Sequence, residues 1–221
     1  MQTALQFGPV FIHLDTLLMG VVQTIQLAVL SILFGTVIGT LGAIGRSFGP
    51  RWVSWPIAAY VELIRNTPLL IQLYFVFFSL PMLGLKLSSN SAAILALSIH
   101  LGAYATEILR AGVESVPVGQ IEAAKSLGLK GYHIIRHVIL VPAVRAVYPA
   151  LSAQFILQLM GTSIVGAIAA EELTAIANNL VMQTFRSFEV YIVIAVIYFV
   201  LVQAASLIFA GLSRLLFRWK T

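Results

Sequence analysis

The sequence predicts an all-α integral membrane protein with about five transmembrane helices and a cytoplasmic helical loop between the third and fourth. Three observations carry that expectation. Of 221 residues, 60% are hydrophobic and only 10% charged, against roughly 25% charged residues in a soluble domain. The apolar residues gather into five runs, at 17–43, 57–80, 92–113, 143–170 and 191–212, each near or above the roughly 20 residues needed to cross the hydrocarbon of a bilayer. The basic residues lie between those runs.

Backbone N–H and C=O groups find no partners in lipid, so such runs are helices unless closed into a barrel, and no strand-like alternation is visible. One membrane domain, 14–214, accounts for nearly the whole length. The first run is read as a retained span: Met1 to Asp15 carries no Lys or Arg, and no short apolar segment with a small-residue cleavage site follows. Five spans put the termini on opposite sides. Arg46, Arg51, Lys125, Lys130, Arg136, Arg145, Arg214, Arg218 and Lys220 fall on one side, and Lys86 and Arg186 on the other. The positive-inside rule then predicts an external N-terminus and a cytoplasmic C-terminus. This charge distribution sets topology and forms no patch for nucleic acid.

The 114–141 connection is the longest on the basic side. A helix from Val118 to Leu127 is expected to end at Gly128, a residue suited to a left-handed cap. Gly131 then allows a turn before a second helix from Tyr132 to Leu140. Ala124 and Gly128 are spaced to leave one face nearly free of side chains, with Glu122 beside it, a shape suited to a groove on another protein. On the far side, the Glu-Leu-Thr-Ala-Ile-Ala-Asn run that starts at Glu172 is expected to form a short external helix. Pro68 is expected to kink the second span, and Gly35 with Gly39 forms a small-xxx-small motif for close packing.

The run EAAKSLG, containing Glu122, Ala123, Ala124 and Gly128, closely resembles the loop signature of permease subunits of ABC importers. Val138 and Leu140 follow at the family's spacing, while Pro142 lies one residue late and Val141 takes its place. ELIRNTPLLIQLYFVFFSLP from Glu62 to Pro81, TEILRAGVESVP followed by GQIEAA, and FRSFEVYIVIAVIYFVL extend the likeness to the polar amino acid uptake branch. The resemblance implies a non-enzymatic inner-membrane subunit that pairs with an identical or homologous permease. It also implies cytoplasmic ATPase subunits that bind ATP, an external solute-binding protein, and a polar amino acid or derivative as cargo. Glu122, Ala123, Ala124 and Gly128 would dock the ATPase. The chain itself has no G-x-x-x-x-G-K-[ST] phosphate loop, and no cofactor or metal is expected in it.

Polar groups within spans usually face a protein interior or water. His100, Tyr104 and Glu107 recur at helical spacing in the third span, and Gln154, Gln158, Thr162 and Ser163 in the fourth. Both stripes suit either a solute route or hydrogen bonding between helices. Thr162 and Ser163 match a family Thr-Ser pair commonly preceded by Lys and Asp, where this chain has Met160 and Gly161. Glu62 with Arg65 and Glu107 with Arg110 are spaced as i, i+3 ion pairs. Two rivals compete with the importer reading. An ion-coupled secondary transporter lacks support because two matched halves with interrupted helices are missing. A membrane-embedded enzyme lacks a nucleophile–base pair or a metal-like cluster.

Overall fold

The computed structural model describes residues 5–217, so Arg218 and Lys220 of the charge tally lie outside the described residues. A single turn, α1 (Gly8–Phe11), precedes α2 (Leu14–Phe48). At 35 residues and about 1.5 Å per residue, α2 outruns the hydrocarbon, which is why it extends beyond both ends of the expected 17–43 span. It stops where Gly49 and Pro50 turn extended, and Pro50 caps α3 (Arg51–Arg65).

The expected 57–80 span is not one helix. α3 begins six residues earlier, and α4 (Leu69–Met82) follows at 112° to it. Pro68 is the reason: it disfavours helical geometry at Thr67 and offers no N–H to continue the ladder. The carbonyls freed at this elbow find side chains instead. Thr67 Oγ1 donates to Leu63 O (2.8 Å), Asn66 Nδ2 to Glu62 O (2.8 Å), and Gln72 Nε2 to Ile64 O (2.8 Å) and Thr67 O (2.9 Å).

α5 (Ser89–Glu114) starts with Ser88 Oγ accepting from the Ser91 N–H, an N-cap, and runs close to its expected length. α6 (Val118–Ser126) ends as predicted at Gly128, whose φ is +72°. The Gly128 N–H reaches Lys125 O (2.9 Å) and the Leu129 N–H reaches Ala124 O (3.2 Å), the paired bonds of a Schellman cap. The second loop helix is not separate, and neither the loop boundary at 141 nor the span start at 143 exists in the structure. A turn of α7 (Gly131–His133) passes through a π-helical segment, Ile134–Leu140, directly into α8 (Val141–Gly161) and a 3-10 segment, Thr162–Ile168. Pro142 sits in the first turn of α8, where its missing N–H costs no α-helical bond, and the wider turn precedes it.

After Ala169 in left-handed geometry, α9 (Leu173–Thr184) forms the short helix expected of the Glu172 run, and α10 (Ser187–Leu216) closes the chain. The Glu171 N–H bonds Asn90 Oδ1 at the start of α5, so α9 and α6 lie at opposite ends of the bundle.

The core is organised around α2 and α5. Gly35, Gly39 and Gly42 of α2 lie directly against Leu101, Ala105 and Thr106 of α5, and Gly102 of α5 lies against Ile38. A Cβ on Gly35 would stand 2.8 Å from the Leu101 Cβ. The outward side of α2 carries Leu18, Val22, Val29, Leu33, Val37 and Leu41, all exposed and apolar, as a lipid-facing surface requires. Replacing Gly42 by Leu should force α2 and α5 apart and destabilise the bundle by about 1–3 kcal/mol. A thermal unfolding curve in detergent should show a lowered midpoint, while Leu33→Ala on the lipid side leaves it nearly unchanged.

Candidate functional site

The stripe on α5 faces the elbow. Gln72, on the first turn of α4 and buried, donates its amide N–H groups to Ile64 O of α3 and Thr67 O of the elbow, and its Oε1 accepts from His100 Nδ1 at 3.0 Å. The His100 and Tyr104 rings are 5.0 Å apart, and the Arg65 guanidinium lies 5.5 Å from the Tyr104 ring centre, within cation–π range. Arg65 therefore does not pair with Glu62, which accepts from Asn66 Nδ2 at 3.0 Å. Glu107 does pair with Arg110, and Arg110 also bridges to Glu114. His100, Tyr104 and Glu107 are all half-buried. Together with Arg65 and Gln72 they make a ladder of polar groups beside a broken helix, whose carbonyl end is closed by the Asn66, Thr67 and Gln72 side chains.

The stripe on α8 does not join that ladder. Gln158 is 2% exposed, and its Nε2 donates to Leu97 O on α5 (2.9 Å) and to Ser31 Oγ on α2 (3.2 Å). It is an interhelical clamp and lines no space. Thr162 is fully buried and bonds back to Leu159 O (2.7 Å). Gln154 and Ser163 are half-buried. Ser163 bonds Met160 O (2.8 Å), and both residues border a cavity of about 390 Å³ between α8 and α10. Of the four stripe residues, only Gln154 and Ser163 are not buried.

In the loop, Glu122 and Ala123 are exposed, but Ala124 is 5% exposed and packs with Val116, Ile134, Ile139 and Ala143. Of the expected small-residue face, Ala124 is thus turned inward, onto the root of α8, while Gly128 stays exposed. The surface left for a partner carries Val118, Glu122, Ala123 and Leu127, the last 80% exposed, beside the cap at Gly128. Apolar side chains so exposed on a helix standing off the bundle mark a contact surface.

Two polar nodes were missed in the sequence. Gln72 reads there as one polar residue in an apolar run, and only the break at Pro68 hints that carbonyls nearby need a donor. The other is Glu172, 0% exposed, whose carboxylate caps α9 by accepting from the Thr174 and Ala175 N–H groups (2.8 and 2.7 Å) and from Tyr198 Oη of α10 (2.8 Å). Thr24 of α2 completes the node by accepting from the Leu173 N–H at 3.1 Å. Its sequence signal is an acidic residue immediately before a helical run, an N-cap pattern.

Four long apolar helices, a bent helix pair with a polar elbow, and an apolar, exposed helical loop at one end define a multi-pass membrane transport subunit built to work with partners. Residues 31–218 match the family model described as the binding-protein-dependent transport system inner membrane component. The chain is 35% identical over 201 residues to the glutamine transport system permease protein GlnP of Escherichia coli, covering 90% of this chain and 91% of that one. It is 34% identical over 215 residues to the octopine transport system permease protein OccM of Rhizobium meliloti (92% and 88% covered). To the L-cystine transport system permease protein TcyB of Bacillus subtilis it is 35% identical over 201 residues (90% and 86% covered). A solved amino acid ABC transporter, crystallised with histidines, superposes with a TM-score of 0.89 at 33% identity, covering 96% of this chain and 99% of that one. A methionine ABC transporter, MetNI, at 21% identity and TM-score 0.78 shares the fold. The chain belongs to the family of binding-protein-dependent inner membrane transport components: it is a permease subunit of an ABC importer, a multi-pass protein of the bacterial inner membrane.

Gln158→Ala strips donors from Leu97 O and Ser31 and should lower bundle stability by about 1 kcal/mol. Gln154, which makes no hydrogen bond among the described residues, should tolerate the same change with no shift. Parallel melting curves of the two variants check this.

Proposed function

We propose that this chain forms half of the translocation unit for a polar amino acid or close derivative, with its N-terminus external and the α6 loop in the cytoplasm. Three observations support the reading. The named relatives are permeases for glutamine, octopine and L-cystine, all small zwitterionic solutes. The basic residues at Arg46, Arg51, Lys125, Lys130, Arg136 and Arg145 gather toward the α6 end. The elbow and the α5 stripe of His100, Tyr104 and Glu107 bring side chains of both charges, Arg65 and Glu107, to one polar ladder, and a solute with an ammonium and a carboxylate needs both. Gln154 and Ser163 are the α8 residues within reach of the same role.

The observation that carries the reading is the α6 element. Glu122, Ala123 and the Leu127–Gly128 cap stand exposed, while Ala124 locks the element through Ile134 and Ile139 onto the continuous α7–α8 rod. A push on α6 by an ATPase is therefore delivered to a membrane-spanning helix without a flexible joint between them. This gives each of the four loop residues a part: Glu122 and Ala123 contact the partner, Gly128 holds the turn, and Ala124 transmits.

The test uses the complex reconstituted with its ATPase and binding protein. Glu122→Lys and Gly128→Val should each reduce solute-stimulated ATP hydrolysis by about tenfold, equivalent to roughly 1.4 kcal/mol of lost coupling, at normal permease yield. Uptake driven by an ion gradient in the absence of nucleotide would defeat the reading in favour of secondary transport.

A further inference from the structure

Phe185 and Arg186 join α9 to α10, and Phe185 holds a backbone that its side chain disfavours. Its φ is +56°, in the left-handed region where a glycine is free and a bulky residue is strained. Among the described residues Ala169 shares that geometry (φ +55°), but its neighbours Ile168 and Ala170 are buried and hold it in place. The Phe185 ring is 90% exposed, so packing on the ring does not fix the joint. Such strain persists only where the surrounding structure imposes it. Here the constraint comes from the contacts that close α10 against α9.

Two of those contacts are polar. Near the joint, the Tyr191 hydroxyl donates to Asn178 Oδ1 (2.9 Å). Farther along, Tyr198 Oη donates to the buried Glu172 carboxylate (2.8 Å) and lies 3.0 Å from Thr174 Oγ1. Tyr198 stands 11 residues beyond Ser187, roughly 17 Å along the helix axis, so a swing of α10 about Phe185 opens this contact more than the first. Its chemistry suits reversible opening. When Tyr198 leaves, the carboxylate keeps the Thr174 and Ala175 N–H groups (2.8 and 2.7 Å) and is not orphaned. Tyr198 already borders the cavity of about 390 Å³ between α8 and α10, which gives its side chain room to turn. α9 stays behind, because the Leu173 N–H bonds Thr24 and Leu173 lies against Gly20 of α2. The rest of the corner is apolar packing of Leu173, Ala177 and Leu180 with Val190 and Ile194, which lipid replaces at small cost.

Resting on the importer reading above, we infer that the α9–α10 corner is a strained latch of the transport cycle: α10 pivots at Phe185, and the Glu172–Tyr198 contact holds it shut between turnovers. Strain at Phe185 favours opening, and the hydroxyl–carboxylate bond opposes it. Removing one or the other therefore shifts the balance in opposite directions.

The test uses the full complex with its ATPase and binding protein in membrane vesicles. Tyr198→Phe removes the hydroxyl and keeps the ring, and ATP hydrolysis in the absence of binding protein should rise several-fold. Phe185→Gly removes the strain and no buried side chain, and solute-stimulated hydrolysis should fall several-fold. The chain contains no cysteine, so Thr174→Cys and Tyr198→Cys in one chain can be joined by a short reducible bis-methanethiosulfonate that takes the place of the tyrosine ring. The tether should abolish uptake, and reduction should return it to the level of the untreated double variant. Uptake that continues at that level with the tether in place would overturn the inference. So would hydrolysis that Tyr198→Phe leaves unchanged or lowers together with the melting midpoint, the mark of a purely structural bond. If the Tyr198 variants do not assemble, Phe185→Gly decides alone: unchanged solute-stimulated hydrolysis overturns the inference. Absence of amino acid uptake by the unmodified complex would instead strike the importer reading.

Discussion

The close approach of α2 to α5 is the constraint on which the rest of the bundle depends. Gly35, Gly39 and Gly42 let the Leu101, Ala105 and Thr106 side chains of α5 lie directly on the α2 backbone, and Gly102 does the same for Ile38 from the other helix. In a membrane, where burying apolar surface brings no gain over lipid, such contact works through dispersion between closely apposed atoms. The neighbouring elements α3, α8 and α9 are then referenced to this pair. Tyr60 of α3 bonds Ile99 O (2.5 Å), one turn from Gly102. Gln158 of α8 holds one atom on each member of the pair. α9 abuts Gly20 and bonds Thr24.

Around that seam, buried polar side chains stand where the backbone departs from regular helix or where helices meet. Gln72 serves the α3–α4 elbow, Gln158 the three-helix junction, and Glu172 the passage from the 3-10 segment into α9. Each closes backbone groups that lipid would leave open. The arrangement separates two kinds of polar residue that look alike in a chain: those held by hydrogen bonds within the bundle and those left without one. His100 belongs to the first kind, because Gln72 Oε1 pairs with its Nδ1. Among the described residues, Tyr104 and Gln154 belong to the second.

Much of the fold was legible in the sequence because bilayer thickness is a single ruler: apolar run length located three of the four long helices within a few residues, and Gly128 marked its turn by the one backbone geometry that favours glycine. In span two Pro68 marked the kink, but hydropathy averages over Asn66, Thr67 and Pro68 and does not register that the chain turns by 112° once its carbonyls have side-chain partners. The start of span four failed for the converse reason. Polar residues such as Arg136 and His137 read as loop, yet the π segment carries them in an unbroken helix. The site was less legible than the fold. Spacing of four and three residues puts Gln158 and Thr162 on a stripe with Gln154, but which side of that stripe meets α2 and α5 depends on tertiary packing. Ala124 shows the same limit: a small residue beside a glycine fits an outward docking face and an inward packing contact equally well.

The sparse burial of α10 also bears on how the protein is made. The seam, the elbow and α8 form their mutual contacts among residues that precede Ser187, so these spans can assemble in the bilayer while the last one is still being synthesised. Until then the Glu172 carboxylate has the N-terminus of α9 as its partner but not Tyr198, and the Tyr148 hydroxyl lacks Phe209 O. Arrival of the final span satisfies both, one toward each end of the helix. The membrane insertion order thus leaves its latch for last.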